Sequence, residues 1–456
     1  MGDNRVKVRV IQGPMAGSEF TFGEHDTLIV GRDPKCPINL PKDPCVSRHH
    51  LILEVCPPEV RLRDLGSRNG TYVIPGSTQS GTTRSGLLRR VDGDMELSDG
   101  DTIQVGETVL HVSVKGEAQT TSRRCQSCGR DFQTRELPKG YRPAVCPDCV
   151  VTTPGPPPAD AESHDDDAQD TVRSLEALAH AGYQIERELG RGGMAIVYLA
   201  RRPGEPAVAV KTMLPRHVPD ARAAEMFLRE MDLLKSLHHP NIVRLHGARR
   251  VEEVFCFEME YCSGGSVGKL AKRHQGRLPL RETGMVMLAA LNGIAHAHSM
   301  RMVHRDIKPE NILLHRDEQG TYVKVCDFGL AKNFDKAGLS GITATGVVGG
   351  TLSYMPREQL LDYKHARPVC DVWSAAATFY HLLTAAYPRE VKPGMDPVRA
   401  VLESQLVSVR ERGVEVPVAV SDVVDRALSL NPEQRYQTAA DFRAALEGAL
   451  KSGGVL

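Results

Sequence analysis

The 456-residue sequence predicts a multidomain protein: an all-β N-terminal unit, a small paired-cysteine segment, and a larger α+β unit built from strands followed by helices. Three observations carry this. Residues 1–116 hold short alternating apolar runs (VKVRVIQG, FTFG, LIVGR, HLILEV, EVRLRDL, DTIQVG, TVLHVSV) separated by Gly, Asp, Asn and Pro, the pattern of a sandwich or barrel. Residues 122–152 hold two Cys-x-x-Cys pairs. Residues 179–450 pass from strand-like runs to long helical periodicity and are numerous enough for a bilobed unit. Between them, residues 153–178 are rich in Pro, Ala and Asp without apolar periodicity, which predicts a flexible linker. Thr438 and Asp441 predict a capped start for the last helix.

Composition excludes several classes. Lys+Arg and Asp+Glu balance at 57 each, against a globally basic nucleic-acid binder. No apolar run approaches the ~18–20 residues of a membrane span, so no membrane partner is expected. The start MGDNRVKVRV lacks the apolar core of a secretory signal. Eleven cysteines, mostly scattered singly, suit a reducing compartment, and a cytoplasmic location is expected.

The chemistry-bearing motifs lie in the C-terminal half. Gly190-Arg191-Gly192-Gly193-Met194-Ala195 falls between the apolar segments YQIEREL and IVYLA, and glycine lets a backbone approach phosphate oxygens closely. In Ala207-Val208-Ala209-Val210-Lys211, strand alternation puts small Ala209 and Lys211 on one face, with room for a flat ring and a cation within reach of phosphates. Phe227, Met231 and Leu234 make a helical apolar stripe that includes Glu230. A carboxylate on a packing face needs a cation, and Lys211 is the natural partner. His304-Arg305-Asp306-Ile307-Lys308-Pro309-Glu310-Asn311 and Cys326-Asp327-Phe328-Gly329 complete the set. Phosphoryl transfer needs a carboxylate beside the attacking hydroxyl and hard oxygen ligands for Mg²⁺. Asp306, Asn311 and Asp327 supply them, and Lys308 can neutralise charge on the transferred group.

In this order, residues 183–450 resemble a eukaryotic-type (Hanks-type) serine/threonine protein kinase domain, as found in bacterial multidomain kinases. The resemblance implies a non-specific serine/threonine protein kinase with ATP, Mg²⁺ and protein substrates as partners. It implies that Gly190, Gly192 and Gly193 cover the phosphates, with Val197 also in the ATP-binding set. It pairs Lys211 with Glu230, and places the adenine on the backbone of Glu260 and Cys262, beyond a gatekeeper Met259. Asp306, Lys308 and Asn311 become the catalytic residues, and Asn311 and Asp327 the Mg²⁺ ligands. Lys308 and Thr351 match serine/threonine rather than tyrosine kinases. Arg305 before Asp306 goes with control by activation-loop phosphorylation, for which Ser340, Thr343 and Thr345 are placed. Asp371 matches a helix-anchoring aspartate, and Arg435 the partner of Glu358. The sequence departs at Ala195, where a third glycine is usual, and at Pro356-Arg357-Glu358, where Ala-Pro-Glu is usual. Substrate docking is the function those last residues leave least secured.

In the N-terminal unit, Gly31-Arg32, Ser47-Arg48-His49-His50 and Gly66-Ser67-Arg68-Asn69-Gly70-Thr71 sit at strand-to-loop junctions. Together they offer a guanidinium, a hydroxyl and a loop amide, which suit a phosphate. Residues 8–113 resemble the forkhead-associated (FHA) family, which implies binding of phosphothreonine peptides. By match, Arg32 and Ser47 bind the phosphate, Arg68 and Asn69 the peptide, and His50 and Gly70 shape the loops. Val73–Arg90 reads as a mobile insertion. Phosphothreonines of other proteins, of this chain's activation loop, or of the linker region (Thr152, Thr153, Thr171) are the expected partners.

Cys125 and Cys128 are separated by 17 residues from Cys146 and Cys149, a spacing that fits a structural Cys₄ Zn²⁺ ribbon. A nucleic-acid-binding role for it rests on Arg123, Arg124 and Arg130 alone and is set aside. The rival to the enzyme is a catalytically weak or dead kinase fold that serves as a phosphothreonine-binding scaffold.

Overall fold

Alternation along β1 (Arg5–Gln12) buries Val6, Val8 and Val10 and leaves Arg5, Arg9 and Ile11 outside, so one face of this strand closes a core. The computed structural model describes residues 5–23, 25–76, 88–115, 120–124, 131–135, 163–192, 195–213, 228, 231, 234–252, 254–328 and 352–456, with backbone alone at 120–124, 131–135 and 163–170. The other strands of the N-terminal unit are β2 (Glu19–Phe22), β3 (Asp26–Gly31), β4 (Ile38–Asn39), β5 (Leu51–Cys56), β6 (Glu59–Asp64), β7 (Thr71–Ile74), β8 (Arg89–Arg90), β9 (Asp94–Leu97), β10 (Thr102–Val105) and β11 (Thr108–Lys115). They form two sheets, ordered β2-β1-β11-β10-β7-β8 and β4-β3-β5-β6-β9. Inward residues of both, among them Val8, Leu28, Leu53, Leu62, Ile103 and Leu110, make one core, as in a sandwich. Of the expected insertion, Val73 and Arg89–Arg90 belong to a β7–β8 ladder, and residues 77–87 lie outside the described residues.

Strands β12 (Thr120–Arg124) and β13 (Asp131–Arg135) pair antiparallel. The four cysteines assigned to zinc lie outside the described residues.

The linker expectation is corrected in part. Residues Ser163–His180 form helix α1, not an irregular tether. Ser174, Ala177 and Leu178 are buried on one face, and Ala177 and Leu178 pack with Tyr183, Tyr198, Val210 and Cys256. The stripe consists largely of small residues, so the hydropathy pattern concealed it.

The C-terminal unit has two lobes. Strands β14 (Gln184–Arg191), β15 (Ala195–Arg201), β16 (Val208–Met213), β17 (Leu245–Val251) and β18 (Val254–Glu260) form a sheet ordered β14-β15-β16-β18-β17. The second lobe is helical: α2 (Val267–Arg273), α3 (Leu280–Ser299), α4 (Arg357–Leu361), α5 (Pro368–Thr384), α6 (Pro397–Glu403), α7 (Val418–Ala427) and α8 (Ala439–Ser452). Helix α5 is buried nearly all round, with Trp373, Phe379 and Tyr380 at its centre, so it is the axis of this lobe. Thr438 caps α8 by accepting from the Asp441 N–H at 3.0 Å, as expected. A hairpin of β20 (Ile312–Asp317) and β21 (Gly320–Val325), with β19 (Gly265–Ser266) added at its edge, lies at the junction of the lobes.

The two large units are packed together. Ile29 of β3 and Ile52 of β5 are cross-strand partners pointing away from the sandwich core, yet both are buried. With Cys36 and Leu65 they meet Leu352, Met355, Leu360, Val398 and Val401 of the helical lobe. Lys364 Nζ donates to Asp26 Oδ2 at 3.0 Å, and Arg399 Nη1 to the Gly66 carbonyl at 2.8 Å, at the border of this apolar contact.

Candidate functional site: the interlobe cleft and the N-terminal loops

Strand pairing fixes the roof of the cleft. Gly190 faces Val197, and the Gly192 N–H donates to Ala195 O at 2.9 Å, so the glycine segment is the turn of the β14–β15 hairpin. A Cβ on Gly190 would meet nothing within 4 Å, so the glycine leaves open space rather than relieving an internal clash. Val197 pairs with Lys211, and Ala209 with Met259. Gly193 and Glu230 lie outside the described residues, while Met231 and Leu234 of the expected stripe are buried. Lys211 Nζ stands 2.9 Å from Asp327 Oδ2. Cys262 is buried, and burial pushes its thiol up to about 12, so it is an apolar wall. Glu260 ends β18, with its carboxylate 3.0 Å from Lys324 Nζ.

The floor is built on Asp371. Its carboxylate accepts from the backbone N–H of His304 and Arg305 and from His298 Nε2, each at 2.8 Å. Burial pushes this carboxyl up, but the bond and charge of His298, with the other donors, hold it below the usual range. The catalytic-loop backbone is thus hung on α5. His304 adds two links: Nδ1 accepts from the Asp306 N–H at 3.2 Å, and Nε2 donates to Cys326 O at 2.7 Å. Arg305 and Asp327 adopt left-handed backbone angles, φ 71° and 64°, a strain that such anchoring sustains.

These anchors bring the expected residues together. Asn311 Nδ2 donates to Asp306 O at 2.7 Å and to Asp306 Oδ2 at 3.0 Å, and Lys308 Nζ lies 2.8 Å from that same oxygen. Burial lowers the Lys308 ammonium's pKa, but the Asp306 charge outweighs it and holds the lysine protonated. Burial raises Asp327, and Lys211 more than offsets this, so the carboxylate stays ionised. With the Asn311 amide nitrogen engaged by Asp306, its carbonyl oxygen is the atom left for a metal, and the Asp327 carboxylate is a second oxygen donor. Two oxygen donors of this kind fit Mg²⁺.

Glu358 and Arg435 form the expected pair: Arg435 Nη1 and Nη2 both bond the carboxylate, the latter at 3.1 Å. Arg305 donates to the carbonyls of Tyr363 at 3.0 Å and Lys364 at 3.2 Å. Ser340, Thr343, Thr345 and Thr351 lie outside the described residues. The sequence reading quoted His304 without a role and missed His298 and Gln359, whose Nε2 donates to Arg305 O at 2.7 Å. It also missed Arg389, a buried arginine whose guanidinium lies 4.2 Å over the Trp373 ring. A histidine beside a motif and an arginine after a helix carry no spacing signal.

The N-terminal loops also converge. Ser47 Oγ accepts from the Arg68 N–H at 3.1 Å, and Asn69 Nδ2 donates to Cys45 O at 2.8 Å. The Arg32 N–H donates to Ser47 O at 3.0 Å. His50 ties the loops: Nδ1 accepts from the Ser47 N–H at 3.0 Å, and Nε2 donates to Gly70 O at 3.2 Å. Gly31 is required because a Cβ there would lie 2.1 Å from Arg48 O, and Gly70 because its φ is +78°. Arg32, Arg48, Arg68 and Asn69 are exposed, and the backbone bonds of Arg32 and Arg68 to Ser47 bring their loops together.

A family description of the protein kinase domain matches residues 183–445, and one of the FHA domain matches residues 28–106. The serine/threonine-protein kinase PknF of Mycobacterium tuberculosis is 34% identical over 284 residues, 61% of this chain and 58% of its own. PrkC of Bacillus subtilis is 32% identical over 268 residues, covering 59% of this chain and 40% of its own. The tyrosine-protein kinase MasK of Myxococcus xanthus is 33% identical over 280 residues, covering 58% and 42%. The chain therefore spans little more than half the length of these relatives or less. Its glycine turn, Lys211, catalytic loop and Asp327 fall within the matched residues, and the chain belongs to the protein kinase family, with an FHA domain preceding the kinase domain.

Proposed function

We propose that the chain is an active serine/threonine protein kinase that transfers the ATP γ-phosphate to protein hydroxyls and reads phosphothreonine through its FHA domain. The observation that carries the reading is the convergence of Asp306, Lys308 and Asn311 within 3.0 Å, with Lys211 on Asp327. Asp306 would orient the acceptor hydroxyl and take its proton, while Lys308 stabilises charge on the transferred phosphoryl group. Lys211 would hold the α/β-phosphates beneath the glycine turn, and the backbone of Glu260 and Cys262 the adenine. Asn311 and Asp327 would hold Mg²⁺, which supplies neutralisation of phosphate charge when bound. In the FHA domain, Arg32 and Ser47 would grip the phosphate and Arg68 and Asn69 the peptide. A dead scaffold is the less favoured reading, because nothing in the described cleft replaces a catalytic side chain.

The experiment is transfer of radiolabelled phosphate from ATP to a basic protein, with Asp306→Asn as control and phosphoamino-acid analysis of the product. Label on serine and threonine, lost in the control, supports the reading. No transfer by the wild type favours the scaffold, and label on tyrosine overturns the acceptor class. The same samples report whether Ser340, Thr343 and Thr345 are modified. Cys125, Cys128, Cys146 and Cys149 are proposed to hold a structural Zn²⁺. Elemental analysis giving one zinc per chain, lost with Cys125→Ser, tests this.

A further inference from the structure

We propose that the FHA loops and the helical lobe form one substrate-reading surface, so that the kinase selects acceptor proteins already carrying a phosphothreonine. The inference rests on the FHA reading proposed above. Three observations lead to it.

The outer face of β3 and β5 is sealed on the lobe through Ile29 and Ile52, and Leu352 and Met355, which adjoin the Pro356-Arg357-Glu358 segment, are inside that contact. The FHA domain therefore abuts the part of the kinase associated with substrate docking. Both ligand loops are also pinned to α6. His49 Nδ1 and Glu403 Oε1 are 3.2 Å apart, two residues from Ser47, and Arg399 Nη1 reaches the Gly66 carbonyl at 2.8 Å, two residues from Arg68. The phosphate-gripping residues thus keep a fixed position relative to the docking segment. Finally, the departure at Arg357 acquires a use. This half-buried guanidinium has an Nε without a hydrogen-bond partner, and Asp33 and Arg48 of the FHA domain are among the charges that face it. Arg357 and Arg48 thus form a rim shared by the two domains, with Asp33, Glu358 and Glu403 among its charges, and Arg32 and Arg68 are exposed residues of the FHA loops.

A phosphothreonine held on those loops places the rest of its chain beside the cleft. The second contact becomes intramolecular and gains from a high effective concentration. Such binding acts alike on ground and transition states, so it lowers KM and leaves kcat in place.

The test uses the full chain and acceptor peptides with and without a phosphothreonine, at spacers of about 4 to about 20 residues, each residue adding up to ~3.3 Å of reach. Expected is a ~10–100-fold gain in kcat/KM for primed peptides, through KM, at a subset of spacings. Arg32→Ala erases the gain. Ile52→Asp breaks the seal without touching loops or cleft, so it keeps activity on unprimed peptide and phosphopeptide binding but loses the gain. Val401→Asp makes the same cut from the kinase side should Ile52→Asp fail to fold. Equal kcat/KM at every spacing overturns the inference, as does a gain that survives both unsealing variants. Fluorescence anisotropy with the phosphothreonine peptide separates the failures. Binding without a kinetic gain overturns this inference alone, whereas absence of binding overturns the FHA reading as well.

Discussion

Lys211 and Asp327 are in direct contact at 2.9 Å, across the boundary between the two lobes. The ammonium of the roof holds the carboxylate of the floor ionised, so the cation proposed for ATP and the carboxylate proposed for Mg²⁺ are set by one ion pair. Lys211→Met removes that cation and its hydrogen bond, leaving only the weaker charges of His304 and Lys308 on Asp327, whose pKa then rises. Phosphate transfer should fall by about 10²–10³-fold, read as kcat in a coupled ATPase or radiolabel assay. Asp306→Asn should cost about 10²–10⁴-fold with ATP binding retained.

The Arg435–Glu358 pair predicts a stability effect. Arg435 is buried, and its partner terminates the docking segment. Arg435→Met strips Glu358 of both guanidinium hydrogen bonds and should cost about 3 kcal/mol, less in so far as solvent and the charges of Arg357 and Arg389 compensate the carboxylate. Urea denaturation of the variant measures it.

Arg389 predicts the opposite sign. Burial pushes its guanidinium down to about 9, with Arg357 adding repulsion and Glu358 offsetting part of it. Among the described residues none of its guanidinium nitrogens has a hydrogen-bond partner. Arg389→Met keeps the contact over Trp373 and removes the charge, and should stabilise the protein by ~1–3 kcal/mol in the same assay.

His50 predicts a pH dependence. Burial lowers its pKa, outweighing the Gly70 hydrogen bond and the charges of Asp64 and Asp43. The unfolded chain therefore takes up the proton first, near its ordinary value of ~6.5. Stability from neutral His50 is present above that pH and is lost as pH falls below it. Protonation also removes the Nδ1 acceptor for the Ser47 N–H. Phosphopeptide affinity should drop between pH 7 and pH 5.5, and His50→Gln should flatten the change.

Much of the cleft was legible because its chemistry is carried by contiguous loops. Asp306, Lys308 and Asn311 are within five residues of one another, and local geometry brings their side chains together. The FHA loops were legible as three short motifs for the same reason. Contacts set by tertiary placement were not. Nothing in the spacing of Lys211 and Asp327 shows that they touch, and His298 reaches Asp371 only because α3 and α5 are packed. The interface did leave a trace: Leu28-Ile29-Val30 and Leu51-Ile52-Leu53 are apolar without alternation, the signature of strands covered on both faces. Read as half-buried strands, they hid the second surface. Helix α1 was hidden by its small-residue stripe, and Arg357 looked like a loss because its Asp33 neighbour lies in another domain.

The Ile29–Ile52 pair also bears on how this protein can be dissected. A fragment ending near residue 116 would carry the complete sandwich core but expose both isoleucines and Leu65 to water, beside strands whose edges can pair with other chains. Such a fragment should self-associate and express poorly for reasons unrelated to its ligand loops. Replacing the two isoleucines with threonine, which keeps β-branching but wets the face, should yield a monodisperse domain.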